Sequence, residues 1–285
     1  MVKLSFITFA LISTLAASAS HVAKAGNTTP TLGFDIGSPP FFDMKNGCPS
    51  GIYPLITGAI FQDAGQPVIG YPAPFRRVLA KLDLGVWGAG GILKTPERVA
   101  KYDYTEAIYV ENNVIYFNRK KQQDMKSVLD LQGKRIGVVQ GWSYGDKFDE
   151  LINNKFFSVE PVNSELTNFK KLKLGRIDAL ITIQDVGANI TARGDFDDLA
   201  ISSIPSFGNS SYIAFKKNAN NDDLIRRLNA SIKKLTSSGR LSALAKSYLQ
   251  NLDGTSSSEN LEEKYKTLNS LAVREDCYLR GNISD

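Results

Sequence analysis

Histidine and cysteine are scarce in this 285-residue chain, which contains one histidine and two cysteines. The histidine, His21, lies inside or beside an N-terminal segment that we expect the mature protein to lose. Without histidine, the remaining chain cannot use Ser-His or Cys-His catalysis or form the usual zinc sites. Its carboxylates are scattered and show no calcium-loop spacing. The sequence therefore predicts no metal site and no cofactor.

An excess of one charge is also missing. The formal net charge is +5, and acidic and basic residues are interspersed along the chain. A balance this mild does not predict a nucleic-acid partner.

Long apolar segments are absent as well. The longest apolar run, residues 4–17, is shorter than the ~20 residues of a membrane-spanning helix. Lys3 precedes the run, and small residues follow it at Ala17-Ser18-Ala19 and Ala23-Lys24-Ala25, as in a signal peptide. Cleavage after Ala19 or after Ala25 fits, and we place the signal peptide at residues 1–25. With no cysteine near either position, we predict a periplasmic protein without a lipid anchor.

The two cysteines, Cys48 and Cys277, are far apart in the chain. In an exported protein such a pair predicts one disulfide. The bond would bring the C-terminal extension, residues 251–285, back to the N-terminal part of the fold.

Repeated alternation of predicted strands and helices indicates an α/β protein. Residues 82–87 (LDLGVW) are echoed by residues 172–178 (LKLGRID), each the end of a helix, a glycine and a strand. Two Rossmann-like lobes of this design would present facing loops at the carboxyl ends of their strands, where ligands bind. Chance similarity is the alternative, because this pattern is common. Short apolar strands at 114–117 and 212–215 are predicted to cross between the lobes.

The segment from Gly88 to Asp103 is the most informative part of the chain. We predict a strand from Val86 to Ala89, and three glycines in four residues let the backbone approach another group closely, as a glycine-rich loop before Arg98. Thr95 is a predicted helix N-cap, followed by Pro96 at the first helical position. Arg98 in the first turn opposes the helix dipole, which suggests a role outside the helix, such as holding a carboxylate. The alternative is an ordinary exposed arginine.

Several short motifs occur in an order typical of one family. They are Pro39-Pro40-Phe41, Thr95-Pro96-Glu97-Arg98, residues 131–138 (LQGKRIGV), Gln140-Gly141, residues 175–179 (GRIDA), Gln184-Asp185 and the closing helix pair from Ser238-Gly239-Arg240-Leu241. Over residues 32–249 the chain resembles the family-3 extracellular solute-binding proteins, the amino-acid-type receptors of ABC importers.

The resemblance implies the type II periplasmic-binding-protein fold, in which two α/β lobes joined by two crossing strands close on a ligand by a hinge. On that basis we predict lobe 1 at residues 26–116 plus 214–250 and lobe 2 at residues 117–213. The implied partners are a small solute with a carboxylate and an ABC permease or a membrane sensor. We expect a monomer.

The resemblance also implies ligand-binding roles for individual residues. The arginine matching Arg98 holds the ligand carboxylate, helped by the hydroxyl and helix amides at the position of Ser143. The position of Asp185 takes the ligand ammonium, and Asp35 lies where some members contact the ligand side chain. Ser143 and Asp185 have an alternative as helix N-caps.

Four further residues complete the predicted binding site. Trp142 is predicted to stack on the ligand, with packing against its own lobe as the alternative. Phe41 belongs to the first motif of the family pattern. Gly91 and Leu93 stand where amino-acid receptors usually carry hydroxyls, so the resemblance is incomplete here. Leu93 and Trp142 make the predicted site more apolar, which favours a ligand other than a standard polar amino acid.

Three functions remain open at this stage. The first is a binding protein that delivers a carboxylate-bearing solute, an amino acid or related organic acid, to an ABC importer. The second hands the liganded form to a sensor kinase or another membrane receptor. The third is an enzyme on the same fold, such as a dehydratase, with Asp35, Asp185 or Glu106 as general acid. We predict a binding protein rather than an enzyme.

Overall fold

The computed structural model describes residues 29–192, 195–251 and 277–281. The predicted signal peptide and most of the predicted C-terminal extension lie outside these residues. Within them, no helix is long and apolar enough to cross a membrane.

Twelve strands and eight α-helices form the described part of the chain, together with a 3₁₀ turn at Val128–Leu131. The strands are β1 (Thr31–Phe34), β2 (Asp43–Lys45), β3 (Cys48–Ser50), β4 (Ile69–Pro72), β5 (Gly88–Leu93), β6 (Tyr102–Tyr104), β7 (Tyr109–Asn118), β8 (Arg135–Val139), β9 (Ser158–Val162), β10 (Ala179–Ile183), β11 (Leu199–Ile201) and β12 (Phe207–Lys216). The helices are α1 (Ile52–Asp63), α2 (Phe75–Asp83), α3 (Pro96–Lys101), α4 (Asp146–Asn153), α5 (Glu165–Leu174), α6 (Gln184–Thr191), α7 (Asp222–Ser237) and α8 (Arg240–Gln250).

One continuous sheet runs through the described residues in the order β4-β1-β5-β12-β7-β10-β8-β9. Both ends of this order are parallel, because β1 pairs in parallel with β4 and β5, and β8 pairs in parallel with β9 and β10. The long strands β7 and β12 run antiparallel to each other between the two ends. The fold is therefore the predicted one, with lobe 1 around β4-β1-β5, lobe 2 around β10-β8-β9, and β7 and β12 crossing between them. The predicted boundaries near 116 and 214 fall inside these two strands and remain a prediction.

Apolar side chains buried on both faces of the sheet stabilise each lobe. Helix α1 buries ten of its twelve residues, and every residue of β10 is buried. A fully buried Leu or Ile side chain contributes roughly 1.5–3 kcal/mol relative to an exposed one. The core therefore fixes the position of the strand ends from which the cleft is built.

The glycine-rich segment is a strand: the strand predicted from Val86 to Ala89 begins at Gly88 and continues to Leu93, so the prediction of a loop there is wrong. Gly88–Leu93 forms β5, which is buried throughout and lies between β1 and β12. A Cβ atom built on Gly90 would lie 2.2 Å from Cε1 of Phe34, and one on Gly88 would lie 2.4 Å from Cδ2 of Leu32. The glycines thus make room for large side chains of the neighbouring strand.

Helix α4 begins at Asp146, with Gly145 at the N-cap position. Gly145 has φ 94°, a backbone conformation that residues with a Cβ rarely adopt, so the helix cannot extend back through it. Ser143 is therefore not the N-cap of this helix.

The C-terminal segment returns to lobe 1, as the cysteine pair predicted. Cys48 and Cys277 form a disulfide with a Cα–Cα distance of 5.5 Å. Beside it, Gly70 donates its N–H to the carbonyl of Cys277 at 2.9 Å, and Leu279 donates to Val68 at 3.1 Å. The tail thereby pairs with the outer edge of the sheet at β4 and covers unpaired backbone groups there.

Candidate functional site

A small cavity lies where the two lobes and the crossing strands meet. It is partly open to solvent, and its free volume is about 20 Å³. Its lining comes from both lobes and from β7: Phe42, Phe75, Gly91, Leu93, Arg98, Glu111, Trp142 and Ser143. Five of the eight predicted ligand-binding residues are among them: Arg98, Ser143, Trp142, Gly91 and Leu93. Asp35, Asp185 and Phe41 are not.

Arg98 is held in place by backbone groups of both lobes. Thr95 caps α3 by accepting the N–H of Arg98 at 3.2 Å, as predicted. The guanidinium donates from Nη1 to the carbonyl of Leu93 at 3.1 Å and from Nη2 to the carbonyl of Gly141, in lobe 2, at 2.6 Å. Its carbon lies 5.6 Å from the centre of the Phe75 ring. The side chain is thus oriented before it contacts any ligand.

In the part of the chain that the structure describes, no carboxylate pairs with this guanidinium. Within the described residues, the ion pairs shorter than 4 Å do not include Arg98. Burial lowers the pKa of Arg98, while the more distant charges of Asp149 and Glu97 act in the opposite direction. A guanidinium has five N–H donors, and two are used here, so three remain. A desolvated cation with free donors and no counter-ion favours an anionic ligand.

The hydroxyl of Ser143 is already engaged in hydrogen bonds within lobe 2. The side chain is 6% exposed, and its Oγ donates to Oδ2 of Asp149 and accepts the N–H of Gly145 at 3.2 Å. Asp149 also accepts the N–H of Tyr144 at 3.0 Å. The backbone N–H of Ser143 has no acceptor in the described part of the chain. A carboxylate bound here would accept a hydrogen bond from this N–H.

Trp142 connects the lobes and covers Asp35. Its indole N–H donates to Oδ2 of Asp35 at 3.2 Å, and its ring packs edge-on against Phe42 and Phe75. Burial raises the pKa of Asp35 to about 6, although the indole and the N–H of Ile36 stabilise the carboxylate. Asp35 is therefore in contact with the opposite lobe and lies behind the indole.

Aromatic side chains surround Gly91 closely enough to exclude a larger residue there. Gly91 has φ 75°, and a Cβ atom there would lie 2.7 Å from Tyr53 and 2.8 Å from Phe42. The missing hydroxyl at this position is therefore a consequence of the space that these rings fill. Phe41 is fully buried and packs behind the cavity against Tyr53, with ring centroids 5.5 Å apart.

Asp185 lies in the first turn of α6, at the end of the buried strand β10, as predicted. It is half-buried, and burial raises its pKa. The N-cap position belongs to Ile183, so the capping alternative is wrong. Its charge acts on Tyr109, whose pKa is raised by burial and by the charges of Asp185 and Glu111. Its role toward a ligand remains a prediction.

Sequence reasoning missed Glu111, the one carboxylate among the residues that line the cavity. It lies on β7, opposite Asn209 of β12, and is 5% exposed. Its Oε1 accepts a hydrogen bond from the hydroxyl of Tyr53, which is also bonded to Oγ of Ser211 at 2.6 Å. Burial raises the pKa of Glu111 to about 7. An acidic residue inside a strand that crosses between lobes was the available signal.

Comparison with known proteins agrees with this geometry. The model of the bacterial extracellular solute-binding proteins, family 3, matches residues 31–251. The arginine-binding extracellular protein ArtP of Bacillus subtilis (strain 168) is 26% identical over 249 residues, covering 85% of this chain and 93% of that protein.

Two solved structures share the fold. One is the amino acid ABC transporter substrate-binding protein AbpA from Streptococcus pneumoniae, bound to L-arginine, with 23% identity, coverage of 78% and 94%, and a TM-score of 0.65. The other is a histidine kinase sensor domain with similarity to periplasmic binding proteins, with 18% identity, coverage of 78% and 96%, and a TM-score of 0.69. Since the family model spans most of the chain and the crossing-strand fold agrees, this protein belongs to the bacterial extracellular solute-binding proteins of family 3.

Proposed function

We propose that this protein is an exported, monomeric, periplasmic receptor that captures one small carboxylate-bearing solute between its lobes for an ABC importer. The solute is an amino acid or a related organic acid. The observation that supports it best is Arg98, a desolvated guanidinium oriented by two carbonyls and without a carboxylate partner. The backbone N–H of Ser143 adds a neutral donor from the second lobe. A carboxylate bound between them would join the lobes.

The residues that line the cavity favour a solute that is not wholly polar. Phe42, Phe75, Leu93 and Trp142 supply apolar surface, so a compact solute with an apolar portion fits best. Binding without catalysis is the activity that we propose.

The test is calorimetry with the twenty proteinogenic L-amino acids against wild-type protein and Arg98→Ala. Removing one partner of a buried ion pair costs roughly 3–5 kcal/mol, so every detected affinity is expected to fall at least 100-fold. Arg77→Ala is the matched control, because Arg77 is an exposed arginine of the same lobe. Unchanged affinity in Arg98→Ala would exclude the carboxylate role.

A membrane sensor is the second candidate partner, and the shared fold with the histidine kinase sensor domain is the observation that favours it. Reconstitution with each candidate partner distinguishes the importer from the sensor. Stimulation of the ATPase of a co-encoded permease by the liganded protein supports the importer, whereas stimulation of a sensor kinase supports the alternative.

A further inference from the structure

Two buried carboxyl groups meet where the lobes are in contact. Asp35 follows β1 in lobe 1, and Glu165 is the first residue of α5, which packs against β8 and β10 of lobe 2. Asp35 is 1% exposed and Glu165 is 0% exposed, and the charge of Asp35 acts on Glu165. Neither residue belongs to an ion pair of the described chain. Two groups that repel each other when both are ionised therefore share a space from which water is excluded.

Hydrogen-bond donors distinguish the two groups. Asp35 accepts the N–H of Ile36 at 2.8 Å and the indole N–H of Trp142 at 3.2 Å, and both bonds favour its ionised form. Within residues 29–192, 195–251 and 277–281, neither side-chain oxygen of Glu165 has a hydrogen bond of normal geometry. An ionised Glu165 would be desolvated, unpaired and beside a second negative charge. Glu165 is therefore the member of the pair that holds a proton in this arrangement of the lobes.

The surroundings of Glu165 supply no compensating positive charge. Its polar neighbours Thr182 and Asn168 favour the ionised form, but burial and the charge of Asp35 oppose it and raise the pKa of Glu165 to about 8. Tyr144, a second titratable neighbour, stays neutral because burial holds its pKa well above the ordinary value. In the described residues, the other charged side chains on the elements around the pair form no ion pair with either carboxyl: the three lysines of α5, Arg76 and Arg77 of α2, Glu111 of β7, Arg135 of β8, Glu160 of β9 and Asp185 of α6.

The lobes touch closely beside this pair, at Gly37. Its carbonyl accepts the N–H of Glu165 at 3.3 Å, and a Cβ atom built on Gly37 would lie 2.6 Å from the carbonyl oxygen of Asn163. Contact this close requires a glycine, because a methyl group would push the lobes apart. Separation of the lobes at this point takes Glu165 away from Asp35 and admits water, which favours the carboxylate. The protonation of Glu165 is thus tied to the distance between the lobes.

We propose that closure of the lobes takes up a proton at Glu165, so that a rise in pH drives the lobes apart. The closed arrangement favours the protonated acid, and the open arrangement favours the carboxylate. Resting on the function proposed above, this coupling makes the receptor hold its solute more tightly at low pH and release it as the pH rises. One coupled proton changes the affinity by at most about 10-fold per pH unit.

Small-angle scattering of the ligand-free protein at pH 5 and pH 8.5 tests the coupling without any solute. The radius of gyration should be larger at pH 8.5, with unchanged far-UV circular dichroism. Glu165→Gln is neutral at both values and should remain as compact at pH 8.5 as at pH 5, whereas the exposed control Glu150→Gln should expand like wild type. Equal radii for wild type at both values, or an expansion that Glu165→Gln shares, would overturn the proposal. Expansion with loss of circular dichroism would also overturn it, because that result indicates unfolding.

A second variant, Gly37→Ala, covers the case in which Glu165→Gln does not fold. Gly37 has no positive φ, so an alanine there is hindered only by the atoms of the other lobe. At pH 5 this variant should already have the radius of wild type at pH 8.5, and the radius should change little with pH. Gly208→Ala is the matched control, because its Cβ would lie 3.2 Å from the side chain of Val110. A Gly37→Ala variant as compact as wild type at pH 5 would contradict the proposed closure contact.

Calorimetry with the proteinogenic L-amino acid that wild type binds most tightly measures the consequence for binding. From pH 6 to pH 8 its affinity should fall at least about 10-fold in wild type and less than about threefold in Glu165→Gln. Titrations in two buffers of different ionisation enthalpy should show proton uptake on binding by wild type only. An affinity independent of pH would overturn the proposal and leave the receptor function intact. Absence of binding by all twenty amino acids would instead count against the proposed function, and the scattering result would then decide the proposal.

Discussion

Trp142 of lobe 2 donates its indole N–H to the buried carboxylate of Asp35 in lobe 1, at 3.2 Å. Asp35 is 1% exposed and its pKa is raised by burial to about 6, so the donor stabilises a group that the closed lobes have removed from water. The contact links the two lobes at the bottom of the cleft. We therefore expect this contact to favour the present arrangement of the lobes.

Replacing Trp142 by Phe should favour the open form. The ring packing is largely retained, but Asp35 loses a donor, a change worth roughly 1–3 kcal/mol for a buried polar group. Small-angle scattering of ligand-free protein should show a larger radius of gyration than in wild type. Trp87→Phe is the control, because Trp87 stacks on Tyr71, away from Asp35. The same expansion in both variants would contradict the link.

Stability should fall as the pH rises, with Glu165 as the main cause. Glu165 is fully buried among Asn168, Thr182 and Asp35, and burial raises its pKa from 4.5 to about 8. Between pH 4.5 and about pH 8, the folded state therefore binds more protons than the unfolded state. The free energy of unfolding falls as the pH rises through this range. The loss is up to about 5 kcal/mol by pH 9. The raised pKa of Asp35 also makes stability fall as the pH rises.

Urea denaturation at pH 5 and pH 8.5 measures this effect. Glu165→Gln is neutral at both values, so its free energy of unfolding should change much less with pH than that of wild type. Glu150→Gln, an exposed change, should follow wild type. A wild-type protein that is more stable at pH 8.5 than at pH 5 would disprove the assignment.

Gly91→Ala should be destabilising for two separable reasons. Its φ of 75° costs an alanine roughly 1–2 kcal/mol, and the clash with Tyr53 and Phe42 adds roughly 1–3 kcal/mol. Gly133→Ala isolates the first cost, because Gly133 has φ 70° and no atom within 4 Å of a built Cβ. Equal free energies of unfolding for the two variants would show that the rings of Tyr53 and Phe42 move aside without a measurable cost.

The disulfide should contribute strongly because it closes a loop with a sequence separation of 229. The chain-entropy estimate for a loop of this length is about 5 kcal/mol. Reduction should lower the free energy of unfolding by that order and speed hydrogen exchange at Gly70 and Leu279, which bond the tail to the sheet edge. The double variant Cys48→Ser, Cys277→Ser should be insensitive to reductant. Unchanged exchange at Leu279 after reduction would show that the tail is held without the bond.

Much of the fold followed from local patterns. The helix start at Thr95-Pro96 was predicted correctly because capping is a local signal. Only the first part of β5 was predicted, because glycines are typical of a loop and nothing in the sequence shows that Phe34 fills the space above Gly90.

The sequence by itself determined the α/β alternation, the two cysteines and the position of Arg98 in a first helical turn, while the two-lobed arrangement was implied by the family resemblance. The first three depend on periodicity, residue counts and caps, which are properties of neighbouring residues. Only the tertiary structure brought Arg98 to the carbonyl of Gly141, Trp142 to Asp35 and Glu111 into the same cavity as the arginine. These contacts join residues far apart in the chain, and they arise from how the two crossing strands bring the lobes together.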